Sequence, residues 1–367
     1  MHEILPAGRP ALVLAPMQDV TDLPFLRVLA RRGAPDWWVT EYFRVHPESC
    51  PHPYILRSIV ENATGRPVFA QMIGRDLPGL VRTAKQLAEL PVAGIDLNLG
   101  CPAPIVCRKN AGGALLRDPA AIDRLLGTLR AAIPGRFTVK TRVGFADADE
   151  FPGLLEIFRR HGIDALTVHG RTVKELYQTP VRPACIRLAV DAMTCPVIAN
   201  GNVVDTTTGL ALLAQTAAAG LMIGRGAIRN PWIFAQLRAV FTGSPPPVPT
   251  HRDLLGHVLE LYEEIARESR KFQPVAHVQR MKKTLAYISH GLAGPFEYEM
   301  RRANTPEDFF RICQTHLDHD TPLPVRPPAG SKLFCGFETL VPVVVIAKDF
   351  MPDRRSSPGD EMTHVGS

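Results

Sequence analysis

The chain has no Cys-x-x-Cys pair. Its seven cysteines, at 50, 101, 107, 185, 195, 313 and 335, are odd in number and scattered. That argues against a disulfide framework or a structural zinc site and fits a reducing compartment. No apolar run approaches the ~18–20 residues needed to span a bilayer; the longest candidate, Leu340–Ala347, is far shorter. The opening MHEILPAGRP lacks a basic-then-apolar signal pattern, so a cytoplasmic protein without a membrane partner is expected. A dinucleotide-binding glycine fingerprint is also missing, which leaves NADPH and NADH undistinguished. Charge of one sign is not in large excess: 42 Lys and Arg against 36 Asp and Glu give +6. Such a balance permits a polyanionic partner without demanding one.

What is present is ordinary globular composition, 46% apolar and 21% charged over 367 residues. That length suits about two domains, or one large barrel with an appendage. Short Val-, Ile- and Leu-rich runs recur at Ala11–Met17, Trp37–Tyr42, Pro67–Ile73, Gly94–Gly100, Arg136–Gly144, Ala165–Arg171, Cys195–Gly201 and Ala218–Gly226. Nearly continuous apolar character over so few residues suits parallel strands buried on both faces. Helical patterns separate them, at Leu77–Glu89, Pro119–Ala132, Phe151–His161 and Thr206–Gln215. Eight such units predict an α/β fold, a (β/α)8 TIM barrel, rather than a doubly wound open sheet. Successive strand starts lie 26, 30, 27, 42, 29, 30 and 23 residues apart. The long interval follows the fourth strand, so Cys101–Arg117 is expected to be an enlarged loop at the catalytic end of the barrel.

A Pro-rich break, GSPPPVP, follows Phe241, and helical patterning resumes over His251–His290 and Thr305–Leu317. The expected domains are therefore a barrel over 1–242, a smaller all-helical domain over 250–320, and an extension over 321–367 with a disordered end from Asp353. Residues 251–320 hold 10 basic and 11 acidic residues, yet Ile265–Lys283 carries six cations against Glu268 alone. Such a stretch suits either a solvated helix face or a phosphate-contacting one.

The residues at the strand ends converge on one mouth. They are Ala15-Pro16-Met17, Gln71, Asn98-Leu99-Gly100-Cys101-Pro102, Lys140 and Arg142, His169-Gly170-Arg171, Asn200-Gly201-Asn202 and Gly224-Arg225-Gly226. The set is poor in carboxylates, against a glycosidase, and His169 lacks nearby ligand partners, against a metal hydrolase. The two late glycine loops suit a phosphate, with Arg225 to pair it. Lys140 and Gln71 are then placed to meet a heteroaromatic ring, where a cation stabilises an anionic reduced flavin. Cys101 adjoins the rigid strand end and is preferred over Cys107 as the reactive cysteine.

These motifs resemble the tRNA-dihydrouridine synthase family of flavoenzymes. The resemblance runs from about Leu12 to Leu317 and is carried by LAPMQDVTDLPF, TEYFRV, FAQMIG, IDLNLGCPAPIVCRKNAGGALL, VKTRVGF, LTVHGRT, PVIANGNV and MIGRGAIRNPWIF. It implies an FMN-bound barrel, a helical tRNA-binding domain, and NADPH-dependent reduction of the C5=C6 bond of selected uridines. By the resemblance, Cys101 is the general acid that protonates C5 while the reduced flavin delivers hydride to C6. Ala15, Pro16, Met17, Gln71, Lys140, His169, Asn200, Gly201, Gly224 and Arg225 match cofactor contacts, with Asn202 in the same loop. Asn98 and Arg142 match positions near the target base, and Arg280, Lys282, Lys283, Arg301 and Arg302 match a basic RNA-facing region. No metal is implied, and a monomer is expected. Two departures stand out: Gln18-Asp19-Val20 after Met17, where many members carry small residues, and a tail beyond Thr321 that matches nothing in the family. The barrel residues alone also suit an FMN enzyme acting on a free small molecule, such as a dihydropyrimidine or an enone.

Overall fold

A computed structural model of the chain describes residues 4–268, 273–292 and 294–340. Nine strands run in parallel: β1 Ala11–Leu14, β2 Trp37–Val39, β3 Phe43–Val45, β4 Val68–Gly74, β5 Gly94–Leu99, β6 Arg136–Arg142, β7 Ala165–His169, β8 Val197–Asn200 and β9 Gly220–Ile223. β1 pairs with both β9 and β2, and β2 pairs with β4, so eight strands close into a barrel. β3 is the extra one. It lies just beyond the predicted Trp37–Tyr42 run, of which only Trp37–Val39 is strand, and pairs only with the far end of β4, Phe43 opposite Met72.

The barrel interior changes character along its axis. Near the N-terminal ends of the strands, Val13, Trp37, Val39, Phe69, Ile198 and Met222 form an apolar plug. On β5, Ile95, Leu97 and Leu99 join the core shared with the surrounding helices. Strand side chains alternate, so Asp96 and Asn98 then point inward. The register aligns Gln71, Asp96 and Thr138 in one row and Asn98 and Lys140 in the next. Arg142, His169 and Asn200 continue around the rim. The polar layer therefore sits at the C-terminal end, above a dry floor.

The sequence starts its helices with recurrent local signals. Asp22, Asp76, Asp118 and Asp205 cap helices by accepting from backbone N–H groups of the first turn. Proline occupies the first or second position in the first three of those helices, where its missing N–H costs nothing. Helices His251–Glu268, Pro274–Ile288, Phe296–Arg302 and Pro306–Leu317 follow the Pro-rich break.

The helical region docks on the barrel through charge. Arg27, Arg31, Arg32 and Arg57 of the barrel pair with Glu260, Glu264 and Glu268 of helix His251–Glu268, at 2.6–3.2 Å. The near-neutral sum of residues 251–320 thus hides a segregation, with three acids turned towards the barrel. Of the basic stretch read from sequence, Arg270 and Lys271 lie outside the described residues.

The segment after Thr321, assigned no structure from sequence, returns to the barrel. Leu323 N donates to Pro249 O, and Arg229 donates to the carbonyls of Pro324 and Val325. Arg326 then pairs with Asp205, and the chain crosses the mouth to a short 3-10 turn at Phe337–Leu340. The end from Asp353, expected to be disordered, lies outside the described residues.

Candidate active site

Cys101 follows β5 and is half-buried. Asn98 presents it. The Asn98 Oδ1 accepts from Gly100 N at 3.0 Å and Cys101 N at 2.9 Å, and its Nδ2 donates to Gln71 Oε1 at 2.8 Å. Gln71 Nε2 donates to Asp96 Oδ2 at 2.7 Å, and Thr138 Oγ1 donates to Asp96 Oδ1 at 2.6 Å. A hydrogen-bonded row thus ties the polar layer to the cysteine backbone. Burial pushes the Asp96 carboxyl up to about 6, against the bonds from Thr138 and Gln71 and the charge of Lys140.

The long loop expected at this end is there, as a short helix Pro104–Cys107 and a 3-10 turn Gly112–Arg117. It folds back on Cys101: Gly113 N donates to Cys101 O at 3.1 Å, and the Cys107 thiol approaches the same oxygen at 3.7 Å. Cys107, whose thiol burial pushes up, is turned into its own loop. Cys101 instead packs beside Tyr42, Ile73 and Val106.

Beside this lies a narrow cavity of about 80 Å³ lined by Ala15, Pro16, Met17, Lys140, His169, Asn200, Gly201, Asn202, Gly224 and Arg225, together with Tyr177 and Phe334. That space is smaller than the roughly 300–1,000 Å³ of small-molecule and cofactor sites, and Phe334 of the C-terminal segment forms part of its wall. Ten of the eleven predicted cofactor residues meet there. Gln71 is the exception: fully buried in the row beneath, it has both ends of its amide committed. Gly201 has φ +122°, and a Cβ there would stand 2.5 Å from Val181 Cγ1. A Cβ on Gly224 would stand 3.2 Å from the Met17 sulfur.

The mouth concentrates positive charge. Burial and the Arg142 charge lower the Lys140 ammonium to about 8, with Asp96 opposing. Burial and the charge of Arg225 bring Arg171 down to about 10. Arg142 and Arg225 are lowered by burial, and His169 falls well below the usual imidazole range through burial and four cationic neighbours. His169 is thus neutral at pH 7, and the Arg171 guanidinium donates to its Nε2 at 3.1 Å.

Several predicted substrate residues have other commitments. Arg142 is buried and donates to the carbonyls of Gly100, Thr172 and Leu176 at 2.7–2.9 Å. It ties the Cys101 loop to the loop after β7. Arg280 pairs with Asp22 of the barrel and bonds the Tyr54 hydroxyl, so it joins the two domains. Lys283 is exposed and lies 3.3 Å from Asp19. Arg280 and Lys283 line an open cleft of about 990 Å³ with Tyr42, Arg44, His46 and His52. Lys282 approaches Asn304, Arg301 pairs with Glu297, and Arg302 stacks 3.5 Å over exposed Tyr298. These last three lie outside both cavities.

Four residues at the mouth carried no assignment from sequence. Asp96 was findable, two positions before Asn98 on the inward face of β5. Arg171 stood in the His169-Gly170-Arg171 motif. Tyr177, 5.1 Å from Arg142 and 4.5 Å from Arg225 by guanidinium-to-ring distance, and Phe334 lie in stretches without periodicity.

Comparison with known proteins places the geometry in context. A family profile described as dihydrouridine synthase matches residues 13–319. A probable tRNA-dihydrouridine synthase of Rhodobacter capsulatus is 32% identical over 81% of this chain and 91% of its own length. The tRNA-dihydrouridine(16) synthase of Haemophilus influenzae is 32% identical over 84% of this chain and 97% of its own. The tRNA-dihydrouridine synthase B of Xanthomonas campestris is also 32% identical, over 84% and 93%.

Proposed function

Because the chain belongs to the dihydrouridine synthase family, an oxidoreductase family, we propose that it reduces specific uridines in tRNA to 5,6-dihydrouridine, with FMN held in the barrel mouth, NADPH as reductant and Cys101 as proton donor to C5. The observation that carries this is the presentation of Cys101 by Asn98 within electrostatic reach of Lys140, a cation of the cavity wall.

The residues lining the cavity suit a flavin mononucleotide. Its cations repel one another, and Lys140 opens on it with no ion-pair partner among the described residues. An anionic group there would relieve that repulsion. Gly201 and Gly224 let the backbone of the late loops pack where a side chain would crowd Val181, His169 and Met17, and Asn200, Asn202 and Arg225 stand beside them for the phosphate. Lys140, on the cavity wall, would meet the ring. Once reduced by NADPH, FMN supplies the electron pair taken up by the C5=C6 bond.

The protein's own groups do the rest. Uracil C6 accepts electrons only where charge developing towards C5 and O4 is quenched. A positioned acid does this, and general acid catalysis contributes typically about 10²–10⁴-fold. A thiol can hold that proton and give it up. The proton passes from Cys101 Sγ to C5, and water returns it. Asn98 fixes the cysteine backbone and Arg142 braces its loop.

The target uridine must leave its stack to reach a barrel mouth. The cleft between barrel and helices, with Arg280 and Lys283 on its wall, supports that route. Backbone contacts from Lys282, Arg301 and Arg302 would hold the RNA, and the pocket would read one base. Of the three relatives, one carries position 16 in its name and two carry no position, so mapping decides the position. Dihydrouridine mapped by sequencing in wild-type and deletion cells tests the proposal; unchanged dihydrouridine at every position, without a redundant enzyme, would sink it.

A further inference from the structure

We propose that the C-terminal strap, residues 331–337, is a wall of the cofactor site that closes over the phosphate-bearing end of the bound group and must lift for it to enter or leave. This presupposes the flavin assignment above.

The strap binds the mouth itself. Arg225, Arg171 and Asn202 donate to the carbonyls of Leu333, Cys335 and Gly336 in turn. These three residues come from the loops after β9, β7 and β8, which surround Gly201 and Gly224. Phe334 is buried, lines the cavity, and packs with Val204 and Tyr287. Gly336 is pressed against the loop that carries Tyr177: a Cβ there would stand 2.7 Å from Pro180 Cα. Upstream, Arg326 on Asp205 and Arg229 on the carbonyls of Pro324 and Val325 anchor the segment beyond the mouth.

The electrostatics suit a lid over an anion. Arg171 and Arg225 are desolvated cations whose strap partners are neutral carbonyls, which leaves charge uncompensated. A phosphate beneath the strap would supply it beside Arg225, which lines the cavity, while Arg171 spends its other donors on Thr179, His169 and Asn202. The strap and the anion then hold the same cation, each favouring the other. Such coupling is reciprocal: a closed strap slows cofactor loss, and bound cofactor holds the strap closed by the same factor.

Two measurements on the flavin-loaded protein test this. The first is FMN release on dilution, followed by recovery of free-flavin fluorescence. Termination after Gly330 should speed release about tenfold or more, since affinity changes of this kind appear mainly in the off-rate. Termination after Leu340 should leave it unchanged, and Phe334→Ala in the full chain should fall between. The second is trypsin cleavage after exposed Lys332 in the otherwise unaltered protein, which added FMN should slow. Tight FMN binding with equal release rates from both truncations and Phe334→Ala, or cleavage after Lys332 indifferent to FMN, overturns the strap's role and leaves the flavin assignment standing. A wild-type protein that takes up no FMN overturns both.

Discussion

Asn98→Ala separates positioning from chemistry at this site. The Asn98 side chain is buried and makes three hydrogen bonds of 2.8–3.0 Å, two of them received from the Gly100 and Cys101 backbone. Truncation orphans those two N–H groups and the Gln71 carbonyl. An unsatisfied buried group costs about 1–3 kcal/mol, and a water entering the vacated space recovers part of three such losses, so the expected destabilisation is ~3–5 kcal/mol. Freed from its cradle, Cys101 is no longer held near C5, and a misplacement of about 1 Å can cost roughly 10²-fold in rate. Asn98→Asp keeps an oxygen acceptor for both N–H groups, while its second oxygen meets the Gln71 carbonyl and must carry a proton to keep that link. It should remain within about tenfold of wild type, a single modest bond of free energy. The assays are urea unfolding and single-turnover dihydrouridine formation with flavin-loaded protein. A wild-type rate for Asn98→Ala, or equal losses for the Ala and Asp variants, would refute the positioning role.

His257 is fully buried, and neither ring nitrogen finds a hydrogen-bond partner among the described residues. Burial holds its imidazole down at about 3, so between pH 3 and the ordinary 6.5 the unfolded chain binds a proton that the folded one does not. Stability therefore falls as pH drops through that window. His257→Leu should remove this term and raise stability at neutral pH by about 1–3 kcal/mol, measured by urea unfolding from pH 4 to 8; an unchanged pH profile would contradict it. Arg280→Ala strands the buried Asp22 carboxylate, and breaking such a pair costs about 3–5 kcal/mol, read as loss of unfolding free energy. Lys282→Ala and Arg302→Ala should leave stability within about 0.5 kcal/mol and each lower the salt slope of tRNA binding by roughly one. An unaltered slope removes those two residues from the RNA contact.

The barrel was legible because both-face burial makes each strand an apolar run and each strand end a polar or glycine signal. Asn98, Lys140 and His169 could be placed at one mouth from that alternation alone. The three-residue strand Phe43–Val45 was not separable from the run before it, because periodicity over so short a span is silent. Arg280 read as one cation in a basic stretch. Its partner, Asp22, lies 258 residues away in the chain, and local charge patterning carries no trace of such a pairing. The strap was invisible for a different reason. It binds Arg171, Asn202 and Arg225 through backbone carbonyls, which every residue has, so PLPVRPPAG and the residues after it show neither period nor motif.

The most direct test of the central claim is a single-turnover assay of purified, flavin-loaded protein on tRNA lacking dihydrouridine, run beside Cys101→Ala. Wild type should form dihydrouridine at a defined position. Cys101→Ala should keep its flavin spectrum and its tRNA binding while losing about 10²–10⁴-fold in rate. Loaded wild-type protein that leaves every tRNA uridine unreduced, or a Cys101→Ala variant that matches its rate, would contradict the account.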